Sequence, residues 1–300
     1  MTKHHDNSLK IGCIGLGFMG RPIAGHLLKA GYEVHLYARR PEIFEGECKD
    51  LINQGAKIAS SPADLAAQVD LLLTNVMAGQ DVRQVVLEQD DAIIKGARPG
   101  LIIADHSTID PATAIDLHDK LQSAGIDFVD APVSGGSIGA EAGTLAIMMG
   151  GAEKAVEALK PVFAHYSKTC LHMGGAGTGQ ITKLCNQIAQ VITIQGVAEA
   201  MQFAGAYGAD QKAVMEVMAS GFASSRMLEL MAPKMIEEDF TPLMKSQLLN
   251  KDAGIAQLAA QDKNLHMPAL DLVAEQLNFL QAQGWQEKDV SILIKALKKS

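Results

Sequence analysis

Hydrophobic positions fall into two patterns along this chain. From residue 9 to about residue 173, short runs rich in Val, Ile and Leu at 11–15, 33–37, 70–74, 101–104 and 126–129 are each followed by turn residues and then by sequence of helical period. Apolarity that is continuous rather than alternating marks strands buried on both faces, as in a parallel sheet. The series predicts an α/β, doubly wound domain over residues 1–175. From residue 180 to 206 the pattern changes, with Ile, Leu, Val and Ala dominating and little charge between them. A helix apolar on most sides must be buried between partners, so this segment predicts a long helix leaving the first domain and forming the core of an all-helical second domain over residues 176–300. Further helical periods at about 210–220, 225–237, 243–261, 268–282 and 287–298 are punctuated by Pro233, Pro242, Pro268 and Gly284.

Composition narrows the function. Three hundred residues suffice for two cores. Acidic residues exceed basic ones, 34 to 26, for a formal net charge of −8, which argues against a nucleic-acid partner. No apolar run approaches the roughly 20 residues that span a bilayer. The polar start over residues 1–10 lacks a signal-peptide core, so a cytoplasmic protein without a membrane partner is expected. Cys13, Cys48, Cys170 and Cys185 form no CxxC pair and no zinc spacing; they are expected reduced, and no metal is expected.

The chemistry begins with Gly15-Leu16-Gly17-Phe18-Met19-Gly20, which follows an apolar run and precedes a helix-like stretch. In that order the GxGxxG spacing is the signature of a dinucleotide-binding Rossmann domain. Gly15 makes the tight turn, Gly17 admits the pyrophosphate to the backbone, and Gly20 lets helix and strand pack closely. An NAD site usually places Asp or Glu about 20 residues past the first glycine, against the ribose 2′-OH. This chain instead has Tyr37-Ala38-Arg39-Arg40 there, and two guanidiniums suit a 2′-phosphate. NADP is therefore the expected cofactor, with NAD as the alternative.

Two further loops follow strand runs: Ala104-Asp105-His106-Ser107-Thr108, and Asp130-Ala131-Pro132-Val133-Ser134-Gly135-Gly136. A Ser-Gly-Gly turn in such a place can aim a hydroxyl and successive N–H groups at an anion. Lys183 stands four residues after the glycine-rich run 174–179, inside the otherwise apolar helix, with Asn186 and Gln187 at i+3 and i+4 and hence on its face.

Together the GLGFMG-RP opening, the DAPVSGG segment with its GTL and MMGG continuation, GAGTGQITKLCNQ and the late Lys251-Asp252 closely resemble the β-hydroxyacid dehydrogenase family, from about residue 10 to 297. That family includes 3-hydroxyisobutyrate dehydrogenases, tartronate semialdehyde reductases, and glyoxylate and succinic semialdehyde reductases. The resemblance implies Lys183 as the catalytic lysine, Asn186 and Gln187 as amides that position substrate, and Ser134, Gly135 and Gly136 as binders of its carboxylate. It implies Thr108 and Lys251 at the nicotinamide end, Asp252 supporting Lys251, and Val76 and Met77 lining the cofactor, where the family's usual Leu-Pro-Asn is replaced by Val76-Met77-Ala78. The loop 219–226, with Phe222, Ser224, Ser225 and Arg226, is expected to meet the far end of the substrate.

An NAD(P)-dependent oxidoreductase acting on a small carboxylate-bearing substrate is thus expected, as a homodimer or homotetramer. An imine reductase of the same architecture and a non-catalytic NADP-binding module are the alternatives; Lys183 and Ser134 weigh against the first, and Lys183 against the second. His106, His165 and His172 compete weakly as bases, the 14 methionines are expected in helical core, and residues 295–299 read as a solvated face.

Overall fold

The computed structural model describes residues 9–297, and the chain forms two compact units, one running to Lys183 and the other starting at Leu184. In the first unit, β1 (Lys10–Ile14), β2 (Glu33–Tyr37), β3 (Lys57–Ile58), β4 (Leu71–Thr74), β5 (Ile102–Asp105) and β6 (Asp127–Asp130) pair in parallel in the order β3-β2-β1-β4-β5-β6. Each of the five apolar runs lies within one residue of one of these strands. The chain order reverses between β1 and β4, the crevice where open α/β sheets take their ligands.

Three more strands extend the sheet. β7 (Val133–Ser134) and β8 (Leu145–Gly150) are antiparallel, β8 also meets β6 in antiparallel fashion, and β9 (Ser167–Gly174) pairs with β8 in parallel.

Alternate residues of the central strands feed two cores. Ile11, Leu71, Leu73 and Val129 join one cluster with Leu27, while Ile14, Leu72, Ile103 and Phe128 join another with Leu65. Each such side chain contributes roughly 1.5–3 kcal/mol by leaving water, and the period of two means that both faces of the sheet are covered.

The helix Thr178–Ala206 starts in the first unit and continues into the second. Its residues Val191, Ile194, Ala198 and Met201 are buried in a core that includes Met231 and Leu277. Opposite them an exposed stripe carries Ile181, Phe203 and Tyr207 at 50, 65 and 77 % exposure, so the helix is buried on one side rather than on all. Helices Gln211–Ser220, Arg226–Ile236, Ser246–Asp262 and Pro268–Ala282 follow. Pro233 lies inside the second of these rather than ending it.

The helix expected over 287–298 is instead a short 3-10 turn, Val290–Ile292, running into the four-residue helix Leu293–Ala296. The cause is Asp289, buried, whose carboxylate accepts N–H groups from Leu243, Met244 and Ser291 and holds the preceding backbone extended. Lys295 is not simply solvated: it pairs with Glu238 and lies over the Phe240 ring. Lys298 and Lys299, and the polar start over residues 1–8, lie outside the described residues. Among the described residues no helix is long and apolar enough to cross a membrane.

Candidate active site

The glycine-rich loop lies at the reversal of strand order. Gly15 follows β1 with φ +90°, and a Cβ there would stand 2.0 Å from the Asn75 carbonyl oxygen at the end of β4. A Cβ on Gly20 would stand 2.0 Å from the Gly15 carbonyl oxygen. These two glycines weld loop, helix and neighbouring strand together. Gly17 differs, because a Cβ there would meet nothing within 4 Å; it is exposed, and its smallness serves something outside the protein's own packing. Leu16 is buried, Phe18 exposed and Met19 half-buried. Helix Gly20–Lys29 has no side-chain N-cap and no acidic residue in its first turn, which leaves N–H groups and positive potential for an anion. The cradle fits a dinucleotide pyrophosphate. Arg39 and Arg40 follow β2 and are both exposed.

The ends of β4 and β5 are joined by buried polar groups. Asp105 Oδ1 accepts from the Thr74 hydroxyl at 2.8 Å and the Ser107 hydroxyl at 2.6 Å. The Ser107 oxygen in turn accepts the Val76 N–H at 2.9 Å, so the loop bearing Val76 and the exposed Met77 is held by the loop bearing Thr108, itself half-buried. His106 cannot act as a base here. Its Nδ1 donates to the Ala131 carbonyl at 2.6 Å, its Nε2 accepts from the Tyr166 hydroxyl at 3.0 Å, and burial pushes its pKa down to about 4. His172 is likewise engaged, by the carbonyls of Gly151 and Gly174.

The end of β6 meets the start of the long helix. Asp130, fully buried, accepts the N–H groups of Gly177 and Gln180 at 2.8 Å each. Burial pushes its pKa up to about 7, the two N–H groups hold it down, and the nearby Asp105 raises it further. A Cβ on Gly179 would lie 2.5 Å from the Asp130 carbonyl oxygen and 2.4 Å from that of Met148, so only glycine lets the helix approach this closely. One turn later comes Lys183, with 8 % of its surface exposed. Ser134 ends β7 and is half-buried, and Gly135 and Gly136 after it are exposed with φ of +133° and +61°, conformations that favour glycine.

Four more of the expected residues form one chain in the second unit. Lys251 Nζ lies 3.2 Å from Asp252 Oδ1, Gln187 Nε2 donates to Asp252 Oδ2 at 2.6 Å, and Asn186 Nδ2 donates to Gln187 Oε1 at 2.9 Å. Gln187, buried, therefore transmits the orientation of Asp252 to the half-buried Asn186. In the loop before helix Arg226–Ile236, Phe222 is fully exposed, the Ser225 hydroxyl caps the helix through the Leu228 N–H, and Arg226 pairs with Glu229. Asp130 and Gln180 were not among the residues expected from the motifs, although Asp130 opens the DAPVSGG segment and Gln180 is, like Lys183, a polar residue in an apolar helix.

Residues 10–175 match the family model described as the NAD binding domain of 6-phosphogluconate dehydrogenase, and residues 177–297 the one described as NAD-binding of NADP-dependent 3-hydroxyisobutyrate dehydrogenase. The chain is 36 % identical to 2-hydroxy-3-oxopropionate reductase of Escherichia coli (strain K12), over 96 % of this chain and 97 % of that one. It is 33 % identical to an NAD-dependent L-serine dehydrogenase of Pseudomonas aeruginosa, over 95 % and 97 %. Among solved structures, Mycobacterium tuberculosis 3-hydroxyisobutyrate dehydrogenase with L-serine matches with a TM-score of 0.88 at 28 % identity, over 97 % of this chain and all of that one.

Proposed function

This chain belongs to the β-hydroxyacid dehydrogenase family and is an NAD(P)-dependent oxidoreductase acting on hydroxyl groups, and from that premise we propose that it interconverts a small semialdehyde or keto acid and its hydroxy acid with Lys183 as the proton donor and acceptor. The observation that carries the reading is the burial of Lys183 beside the pinned start of its helix. Lysine is among the side chains least often buried. Reduction of a carbonyl builds negative charge on its oxygen, to which the Lys183 ammonium gives a proton; in the oxidation direction the amine takes it back. When bound, the nicotinamide supplies or accepts the hydride.

The Ser134 hydroxyl and the N–H groups of Gly135 and Gly136 would hold the substrate carboxylate, and the Asn186 amide, oriented through Gln187, would align the carbonyl. Thr108 and Lys251 would hold the nicotinamide end, with Asp252 keeping Lys251 in place. Arg39 and Arg40 favour NADP, since guanidinium forks match a 2′-phosphate.

Tartronate semialdehyde, glyoxylate and succinic semialdehyde are the leading substrates, the first supported by the name of the Escherichia coli relative. A screen of these and of 3-hydroxy acids with NADPH and NADH tests the assignment. Turnover of at least one, faster with NADPH, is expected; no turnover of any carboxylate-bearing substrate would overturn it.

We also infer self-association. The exposed stripe of the long helix, with Phe203 and Tyr207, borders a groove of about 650 Å³ lined by Gly196, Ala200 and Val214. An apolar face of this kind is suited to a second copy of the chain; a dimer or tetramer is expected by light scattering, and a monomer at micromolar concentration would contradict it.

A further inference from the structure

Gln180 is fully buried and both ends of its amide are used. Oε1 accepts the Ile109 N–H at 3.1 Å, and Nε2 donates to the Ser107 carbonyl at 2.8 Å. These are the two backbone groups that flank Thr108, the pair that a neighbouring parallel strand engages around one residue. No strand stands there, because β5 has ended and the chain is turning into a helix. A side chain from 71 to 73 residues away takes the strand's place.

Its own backbone N–H is bound as well, to Asp130 Oδ2. Asp130 and the close approach of Gly179 fix where the long helix starts. The side-chain amide adds an anchor to the loop of Thr108 on the face that carries Lys183: Gln180 and Lys183 are at i and i+3, and a slip of one residue turns a helix by about 100°. The bond to Ser107 therefore sets the direction in which Lys183 leaves the helix relative to Thr108. Ser107 extends the same register to Val76 at the end of β4.

We propose that Gln180 is the positioning residue that sets Lys183 against the loop of Thr108, so that proton donor and nicotinamide are held in register by one buried amide. The inference rests on the roles given above to Lys183 and Thr108. A displacement of about 1 Å between reacting groups can slow a reaction about a hundredfold without weakening binding. Gln180→Met keeps the volume and removes both hydrogen bonds. The rate of a single turnover, measured by NADPH absorbance at saturating substrate and cofactor, is expected to fall about 10- to 100-fold, while the cofactor dissociation constant stays within about threefold.

The control is Gln195→Met, on the same helix, where a buried glutamine donates to Glu199. It is expected to lower the melting temperature and leave the single-turnover rate at the parent value. Gln180→Asn, whose amide is one methylene too short to reach both partners, is expected to be intermediate, and it decides the question if Gln180→Met does not fold. A parent rate in the folded Gln180 variants, or a loss confined to cofactor affinity, would overturn the proposal. If Lys183→Ala is inactive and Gln180→Met is not impaired, this inference alone fails; if Lys183→Ala turns over like the parent, the underlying reading fails first.

Discussion

Two polar clusters lie along the long helix, one just before Lys183 and one just after it, and they are built in opposite ways. The first consists of Thr74, Asp105, Ser107, Asp130 and Gln180, none more than 2 % exposed, and it binds backbone groups at the ends of β4 and β5 and at the start of the long helix. The second, Asn186-Gln187-Asp252-Lys251, is made of side chains bound to side chains, and it ends at a lysine whose side chain is 27 % exposed. A cluster that grips backbone fixes position. A cluster of side chains ending near solvent keeps donors and a charge that can still reorient toward a ligand.

The largest test of that contrast compares the two carboxylates. Asp130→Ala would leave two buried N–H groups of the helix start without partners, and it is expected to cost about 3 kcal/mol or more in denaturant unfolding. Asp252→Ala is expected to cost about 1–2 kcal/mol, because Lys251 can turn to water, and to reduce turnover instead. Equal losses of stability would remove the distinction between the clusters.

A smaller version of the contrast exists within the glycine loop. Gly15→Ala forces a Cβ onto the Asn75 carbonyl at a positive φ and is expected to destabilise by about 3 kcal/mol. Gly17→Ala meets no protein atom, so its melting temperature should hardly move while cofactor affinity falls about tenfold, roughly 1.4 kcal/mol. Arg39→Ser is expected to raise KM for NADPH several-fold and to leave KM for NADH nearly unchanged. Comparable efficiency of the parent enzyme with both cofactors would contradict the role of the arginines.

A further test concerns pH dependence. The pKa of His106 is pushed down to about 4 by burial in the folded chain, so between that value and the ordinary value near 6.5 the unfolded chain binds more protons. Stability from His106 is therefore present above pH 6.5 and is lost as pH falls through 4, by about 1.4 kcal/mol per pH unit inside the window. Asp130, raised to about 7, has the opposite sign: its contribution declines as pH rises from about 4 to 7. Unfolding curves for His106→Gln should lack the acid-side loss; an unchanged slope would mean that His106 titrates alike in the folded and unfolded chain.

Local geometry was legible in the sequence and long-range pairing was not. β1, β2, β4, β5 and β6 could be placed because both faces of the sheet are buried there, which makes each strand a continuous apolar run. β3 and β7 escaped because each has only two residues. Gly15, Gly17 and Gly20 were readable because a tight turn and a close approach are properties of neighbouring residues. Asp130 and Gln180 acquire their roles only when β6 and the helix start, 47 and 50 residues apart in sequence, are brought together. The apolar helix marked Lys183 as unusual, and the same argument applied to Gln180 would have found it.

The role of Lys183 is tested most directly by the single-turnover rate of Lys183→Ala at saturating cofactor and substrate, with cofactor affinity measured on the same protein. A rate lower by about 10²- to 10⁴-fold, with the cofactor bound as in the parent, is the predicted result. A parent-like rate in the variant would contradict the account of Lys183 as the group that moves the proton.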